Sequence, residues 1–537
     1  MIRKKLHVII VSILLVFILF CGFTHPFNEK KPIKTFANSS ASGLQNYDTT
    51  DQRFNENILA TVPETYNTVS SVKILSDGRT FGYLARKGSR FAVIFNGREV
   101  TELDPDRQVN IFGGPGLIKN PGGGILFFGK RNGKCVIVLD DLVTETPNMD
   151  SIAHYAVSQN GKHFAYFTKI KTNQVYLLNV DGKEYGSYDG VGKIALGNDG
   201  NFGVAVRRGK FPRGTELLIT EGGTEIPYKS IKGPIFTPDG KTMIYLASSE
   251  SDKKILLFAG GKLIREYDGY SLSFGSDPVI STDGQCIAFV AKKLPGKNQE
   301  CVVIDDHYGE MFEQIHQIPY FLEGTHEVVY KAKIKNVEYT VIGERKIPGE
   351  YSYISNNGKT VAKFLNDDKY EITFNEGKAT VSVKGHININ GTERTTNGMI
   401  TDMALSQDGE SIACVIEYWA EDPGEEHPHA SGYAVIHGDT TGEKFLTTDK
   451  GPVTNSFGAN LAPVISCLTL SLDGKSLAYI VNLERCGEKG KWIIVLNGKK
   501  SEIYDGILSK LYFNKDGSKL AFGALKGRDI LWKVIQD

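Results

Sequence analysis

From Val69 to the C terminus, apolar and polar residues alternate in short runs. That period of two belongs to strands, and helical periodicity is essentially absent after residue 43. One string recurs along the chain. An apolar strand leads into a turn ending in Asp-Gly or Asn-Gly, then a polar residue or two, then an apolar-Ala-aromatic triplet. The clear Asp-Gly copies are Asp77-Gly78, Asp199-Gly200, Asp239-Gly240, Asp283-Gly284, Asp408-Gly409, Asp473-Gly474 and Asp516-Gly517. Asn160-Gly161 and Asn357-Gly358 are variants, and Gly122-Gly123 and Glu323-Gly324 are degenerate copies. Eleven units of about 40 residues thus run from Val69 to the end.

The turn pair is expected to form a two-residue type I′ hairpin, because Asn or Asp followed by Gly accepts positive φ most readily. The triplets read Phe164-Ala165-Tyr166, Ile287-Ala288-Phe289, Leu477-Ala478-Tyr479 and Leu520-Ala521-Phe522. Alternate strand residues face opposite sides, so Ala points one way and the two large residues the other. Such a sheet is crowded on both faces, which fits sheets stacked radially as propeller blades. In a second motif, Tyr follows Gly-Lys by six residues from the Gly: Gly182 to Tyr188, Gly261 to Tyr267, Gly498 to Tyr504. This reads as the hairpin between third and fourth strands, so each unit holds four strands. The expected fold is an all-β propeller of about eleven four-stranded blades after an N-terminal hydrophobic helix.

Single propellers typically hold 4–8 blades. Two tandem rings are therefore expected, at 54–322 and 323–537, with one large ring as the alternative. The last unit shows only three strands and would leave an exposed edge. Residues Phe54 to Val62 could complete it, bringing the two ends of the chain together.

Arg3, Lys4 and Lys5 precede an apolar run from Leu6 to Phe23. A basic start followed by an apolar stretch marks a signal peptide or signal-anchor (1–37 with its linker), and 38–53 reads as further linker. Cys21-Gly22 hints at lipidation, although Leu19 and Phe20 fit poorly before it. The protein is therefore expected outside the cytoplasm, secreted or held at the membrane by residues 6–23 alone. Lys+Arg and Asp+Glu number 62 each, so bulk charge gives no reason to expect nucleic acid. None of the seven cysteines forms Cys-x-x-Cys, which disfavours a zinc ribbon or thioredoxin-type site. Cys286 and Cys301 would lie nearly opposite in a hairpin; they could be bonded, or remain buried free thiols.

The string exemplified by Thr237-Pro238-Asp239-Gly240-Lys241 and Ser471-Leu472-Asp473-Gly474-Lys475 resembles the TolB-type, WD-repeat-like propeller repeats of bacterial envelope proteins. The resemblance covers most of residues 69–537 and implies the fold; the motif residues are turn and core positions. The Trp-Asp ending of true WD repeats is missing, and Trp419, Trp492 and Trp532 lie elsewhere. Similar propellers gate prolyl-oligopeptidase-type hydrolases, but no Gly-x-Ser-x-Gly elbow is found here.

The longest departure from the repeat lies between Ile416 and Ile465. It carries Trp419, Glu421, Asp422, Glu425, Glu426, His427, His429 and His437. His beside carboxylates could ligate a metal, but Pro428 implies extended backbone, and a protein-contact loop is the preferred reading. Asp104-Pro105-Asp106 lacks the continuing spacing of a calcium loop and reads as a turn. Gly113-Gly114-Pro115-Gly116 and Gly122-Gly123-Gly124 lack the Lys-Ser/Thr and helix of a phosphate cradle. No catalytic, cofactor-binding or metal residue is assigned, and no cofactor is expected. The functional expectation is an exported, non-catalytic scaffold in the cell envelope, binding an envelope or extracellular protein. The alternative is a carbohydrate-binding or hydrolytic propeller with its site at the central funnel, where converging titratable and aromatic residues would favour it.

Overall fold

The computed structural model describes residues 54–536 apart from 106–109, 112–117, 120–122, 147–150, 170–174, 210–214, 249–252, 274–276, 296–298, 376–377, 421–428, 439, 447–463 and 487–490. The signal, anchor and lipidation expectations fall on residues outside these. Residues 43–537 form one compact unit.

Eleven antiparallel sheets follow one another along the chain. Blades 1 to 10 span 68–103, 118–146, 151–188, 190–228, 230–268, 270–308, 314–348, 353–397, 399–446 and 465–500. Blade 11 takes a split inner strand (Gly506–Ile507 and Tyr512–Phe513) and two further strands from 506–536, and its outermost strand is Asn57–Thr61. That strand pairs antiparallel with Asp529–Gln536, Asn57 opposite Trp532 and Thr61 opposite Asp529. The expected completion of the last blade by the N-terminal segment is what the structure shows. Arg528 fastens the seam by donating from Nε to Val62 O (2.8 Å) and from Nη2 to Tyr66 O (3.0 Å).

The core is divided among the blade interfaces. Each successive pair of blades shares one hydrophobic cluster. Blades 3 and 4 meet through Phe167, Leu178, Val204 and Ile219, and blades 10 and 11 through Ile480, Ile494, Leu520 and Phe522. Blade 11 returns to blade 1 through Trp532, Ala521, Phe81 and Tyr83. The clusters continue without a break across blades 6, 7 and 8. The expected boundary at 322–323 falls between Tyr320–Phe321 and Val328–Ile334, which pair in one sheet. The blades thus form one ring rather than the two tandem rings expected. A repeat of constant length does not encode where the circle closes; that is set by the small wedge angle between neighbours.

The Ala-aromatic triplet acts as expected. Phe164 and Tyr166 face blade 2 while Ala165 faces blade 4. Leu477 and Tyr479 face blade 9 while Ala478 faces blade 11. Every such blade presents large side chains backward and a small one forward, so bulk fills each gap from one side only. Tyr188, Tyr267 and Tyr504 are fully buried on the fourth-strand side. Tyr267 packs edge-on against Phe289 of the next blade at 5.2 Å between ring centroids, and Tyr504 against Phe522 at 5.6 Å.

The recurrent Asp-Gly turns differ from the expectation. Only the glycine has positive φ (Gly474, 69°), and the Asp does not. The loop is longer: Ser471 N donates to Ser476 O (2.9 Å) and Gly474 N to Ser471 O (2.9 Å). Ser471 Oγ donates to Asp473 Oδ1 (2.7 Å), which also accepts from Lys475 N (3.2 Å), while Ser476 N donates to Ser471 Oγ (2.9 Å). The same Ser/Thr-x-Asp/Asn-Gly network recurs at Ser158, Thr237, Ser281, Ser355 and Ser406. The repeated carboxylate therefore organises the loop. True I′ geometry, with both central φ positive, occurs in the third-to-fourth turns Asn96-Gly97, Asp181-Gly182, Asn390-Gly391 and Asn497-Gly498, and also in the second-to-third hairpins at Asn132-Gly133 and Lys335-Asn336.

Cys301 lies opposite Ala291 in the register, and Cys286 precedes that strand. The two do not face each other, and both thiols are free.

Candidate functional site: the axial wall and the insertion-bearing end

In each blade the first strand lies nearest the axis. First strands of neighbouring blades approach one another, as Gly190–Leu196 does Ser151–Val157 and Ser230–Phe236. Sheets pack about 10 Å apart and strands lie about 4.8 Å apart, so eleven blades leave an opening of roughly 20 Å between inner backbones.

The inner strands are also where the repeat is broken. A β-bulge interrupts the first strand of blade 1 between Ser70 and Lys73, of blade 3 between Ile152 and His154, and of blade 4 between Val191 and Ile194. Blades 5, 9 and 10 are bulged likewise, and in blades 6, 7 and 11 the strand is split in two. A bulge adds a residue to one strand and re-aims its side chains. The position three residues before the last inner-strand residue is Ser71 in blade 1, His154 in blade 3, Lys193 in blade 4, Gly233 in blade 5 and Asp277 in blade 6. It is Ile318 in blade 7, Tyr351 in blade 8, Asp402 in blade 9, Cys467 in blade 10 and Lys510 in blade 11. Turn and core positions are near-copies from blade to blade, whereas this one changes its chemistry almost every time. Ser71, His154, Lys193, Ile318, Cys467 and Lys510 are exposed there. Ser71 (φ 54°) and Cys467 (φ 53°) hold the left-handed backbone that non-glycine residues rarely adopt.

Over blades 8 to 11 the groups interact. Burial raises the Asp402 carboxyl above its ordinary range, opposed by Met403 N (2.8 Å) and the Tyr353 hydroxyl. Burial also raises the Tyr353 phenol, with the Asp402 charge adding to it. The Cys467 thiol is raised by surrounding protein and by Asp402, against Lys510 and Ser466. Although protein walls Cys467 on several sides, its accessible surface, the relevant measure for a ligand, is large. Cys414, buried on the second strand of blade 9, is pushed up to about 12, chiefly by burial and then by Asp402. On the far side of the ring, partial desolvation lowers the His154 pKa. The two-residue strand Asn110–Ile111 pairs parallel with the inner strand of blade 3 on its axial side.

The two ends of the ring differ. At one end lie the Ser/Thr-x-Asp/Asn-Gly loops and the third-to-fourth turns, short throughout. Strands alternate in direction, so second-to-third hairpins and blade-to-blade crossovers lie at the other end. Every large departure from the repeat falls there. In blade 8 the strands Val361–Asn375 and Lys378–Ile389 are 15 and 12 residues long, against 6 or 7 in most blades. Beside them, blade 9 has Ile412–Ala420 and His429–His437, 9 residues each.

Residues singled out from sequence separate accordingly. Residues 421–428, with His427 and the acidic cluster, lie outside the described residues; His429 begins a strand. His437 is directed away from that loop, its Nε2 3.1 Å from Gly474 O of the next blade. Asp104 accepts from Gly133 N (2.7 Å) and Asn132 N (3.0 Å), which lower its pKa, so it caps the Asn132-Gly133 turn of the next blade. Asp106 and Gly113 to Gly116 lie outside the described residues. The axial position went unrecognised in sequence because it is the part of the repeat that does not repeat.

No family model and no curated protein matches the chain. Among solved structures, it is similar to TolB from Acinetobacter baumannii, with 14% identity over 51% of this chain and 79% of that one, TM-score 0.23. It is similar to a eukaryotic initiation factor with 13% identity over 69% of this chain and 95% of that one, TM-score 0.30. Prolyl oligopeptidase B from Galerina marginata shows 13% identity over 56% of this chain and 55% of that one, TM-score 0.26; the chain thus spans about half its length.

Proposed function

We propose that this propeller is a non-catalytic scaffold that binds a protein partner at its insertion-bearing end, centred on the projecting hairpins of blades 8 and 9. The single observation behind this reading is the asymmetry between the ends. One end carries uniform short turns, whereas the other carries all the extended hairpins and long crossovers. Rigid scaffolds place recognition on such variable segments. The setting we propose is the cell envelope, reached through the basic, apolar N-terminal segment and either tethered by it or released. Its support is the sequence pattern of residues 1–23.

The test is comparative cross-linking capture from an envelope fraction. One bait is the full chain. In a second, residues 366–385 are replaced by Asn-Gly, returning the blade 8 hairpin to ordinary length. Partners retained by the full chain and lost from the trimmed ring support the proposal. Identical capture by both baits overturns it. Protease accessibility of intact cells and spheroplasts checks the compartment, and protection of the ring with the cytoplasmic proteins would refute export.

A carbohydrate site at the axis is the second reading, favoured by the convergence of Tyr353, Asp402 and Cys467 on neighbouring inner strands. A thermal shift with neutral oligosaccharides, abolished by Asp402→Asn, would support it.

A further inference from the structure

We propose that Asn132-Gly133, in the second-to-third hairpin of blade 2, is a site of spontaneous covalent modification, where the native chain converts asparagine to aspartate and isoaspartate. The inference concerns the chain's own chemistry and stands apart from partner binding.

Asn-Gly is the pair most open to this reaction, because glycine has no side chain to shield its nitrogen. Gly133 N attacks the side-chain carbonyl carbon (Cγ) of Asn132 and loses its proton to solvent. The new N–C bond closes a succinimide ring as the Cγ–Nδ2 bond breaks and ammonia leaves. Water then opens the ring at one carbonyl or the other, leaving aspartate or isoaspartate. Water is the only co-reactant.

The sequence holds seven Asn-Gly pairs, at Asn96, Asn132, Asn160, Asn357, Asn390, Asn397 and Asn497. Attack requires the side-chain amide to swing toward the glycine nitrogen, and the fold ties that amide down in most of them. In the third-to-fourth turns, Asn96 Oδ1 accepts from Phe81 N (2.9 Å), Asn390 Oδ1 from Val361 N (2.9 Å) and Asn497 Oδ1 from Leu477 N (2.7 Å). Each donor opens the second strand of its blade, so releasing the amide leaves a strand N–H without its acceptor. In the Ser-x-Asn-Gly loops, Asn160 Oδ1 accepts from Lys162 N (3.0 Å) while Nδ2 donates to Asn198 O of blade 4 (2.8 Å). Asn357 Oδ1 likewise accepts from Lys359 N (3.0 Å) while Nδ2 donates to Asp408 O of blade 9 (2.6 Å). Asn397 ends a strand, and Gly398 is buried with Ile416 and Glu417 against it.

Asn132 differs. Its turn lies at the other end of the sheet and is capped by the Asp104 carboxylate rather than by the asparagine's own amide. Asn132 is exposed, and among the described residues its side chain has no hydrogen-bond partner. Gly133 is exposed too, and an added Cβ would meet nothing within 4 Å, so the turn has room for the ring.

The product acts back on the fold. Asp104 grips the turn with both oxygens, Oδ1 on Asn132 N and Oδ2 on Gly133 N. Conversion places a second carboxylate in the same turn. Isoaspartate also adds a carbon to the main chain between the two N–H groups that Asp104 holds. Like charge and altered spacing both oppose the cap, so modification loosens the joint between Asp104 and the blade 2 hairpin.

The experiment ages the full chain at mildly alkaline pH, both native and in denaturant, and follows each Asn-Gly pair by peptide mapping with mass spectrometry. The denatured chain gives each pair's rate free of the fold. In the native protein Asn132 should keep most of that rate, while the other six pairs should be slowed several-fold. Asn132→Gly retains a residue that accepts positive φ and should abolish the principal acidic species on isoelectric focusing. Amide hydrogen exchange across 131–134 should quicken in the aged parent and stay unchanged in aged Asn132→Gly. An Asn132 that keeps its amide in the native protein while the denatured chain converts overturns the inference. So does native conversion of another pair at the same rate, or an acidic species that survives Asn132→Gly. Unchanged exchange in converted parent overturns the effect on the cap.

Discussion

Blade 10 contains two glycines at positive φ, at the same end of the same sheet, that separate backbone strain from contact between blades. Gly498 sits at 82° in the I′ turn, and an added Cβ would meet nothing within 4 Å. Gly474 sits at 69° in the Ser/Thr-x-Asp-Gly loop, where an added Cβ would lie 2.5 Å from Ser411 Cβ and 2.9 Å from Ser406 Cβ, both in blade 9. Alanine at either position meets the left-handed penalty, about 1–2 kcal/mol. Only at Gly474 must the neighbouring blade also give way, and overpacking of this kind costs about 1–3 kcal/mol more. Gly498→Ala should therefore destabilise by about 1–2 kcal/mol, and Gly474→Ala by about 2–5 kcal/mol. Guanidinium titration followed by far-ultraviolet circular dichroism reads this as a larger fall in midpoint for Gly474→Ala at unchanged slope. Val at Gly474 or Gly240 should be worse still, because β-branching resists positive φ. Equal shifts for the two alanine variants would refute the idea that the loop is pressed against its neighbour.

Other perturbations address separate features. The loop carboxylates Asp239, Asp408, Asp473 and Asp516 titrate below the ordinary range, first because a Ser or Thr hydroxyl donates to them and then because a backbone N–H does. Asp283 is held lower too, with His326 also donating. Folded pKa values below unfolded ones give stability that is present above the unfolded value near 3.8 and is lost as pH falls through the folded values. Replacing Asp239, Asp408 and Asp473 by Asn, the residue that blades 3 and 8 already use, should flatten the acid limb of a stability–pH curve below the unfolded value near 3.8; an unchanged limb would count against it. Asp402 has the opposite sign, since its raised pKa means stability declines as pH rises through that range. Asp402→Asn should accordingly raise the melting temperature at pH 7, and a fall would show that its charge is needed. Removing residues 54–61 should expose the Asp529–Gln536 edge and lower the melting temperature by several degrees with increased association in light scattering; an unchanged monomeric profile would refute the seam's role.

The features legible in sequence were those repeated for packing reasons. Ala165, Ala478 and their flanking aromatics announced two crowded faces, and Tyr188, Tyr267 and Tyr504 announced the outer hairpin. The missing fourth strand pointed to Phe54 to Val62. The turns were misread because Asp-Gly serves two geometries, and side-chain bonds from Ser471 to Asp473, visible only in three dimensions, select the longer one. Ring number escaped because no residue encodes closure; it follows from how far eleven wedges turn in total. The axial position escaped for a related reason. Alternation predicts facing only while the strand is regular, and a bulge at Ser71 or Cys467 shifts the phase by a residue.

The seam between the first and last strands joins residues 468 apart in sequence, as Thr61 Oγ1 donating to Asp529 Oδ1 shows. Translation delivers one of these strands hundreds of residues before its mate. Throughout synthesis the opening segment must wait without its partner, while the intervening modules can already stack in order. A chain that stops short of Asp529 leaves a horseshoe with two raw ends, so closure reports that the strand 468 residues away has been made.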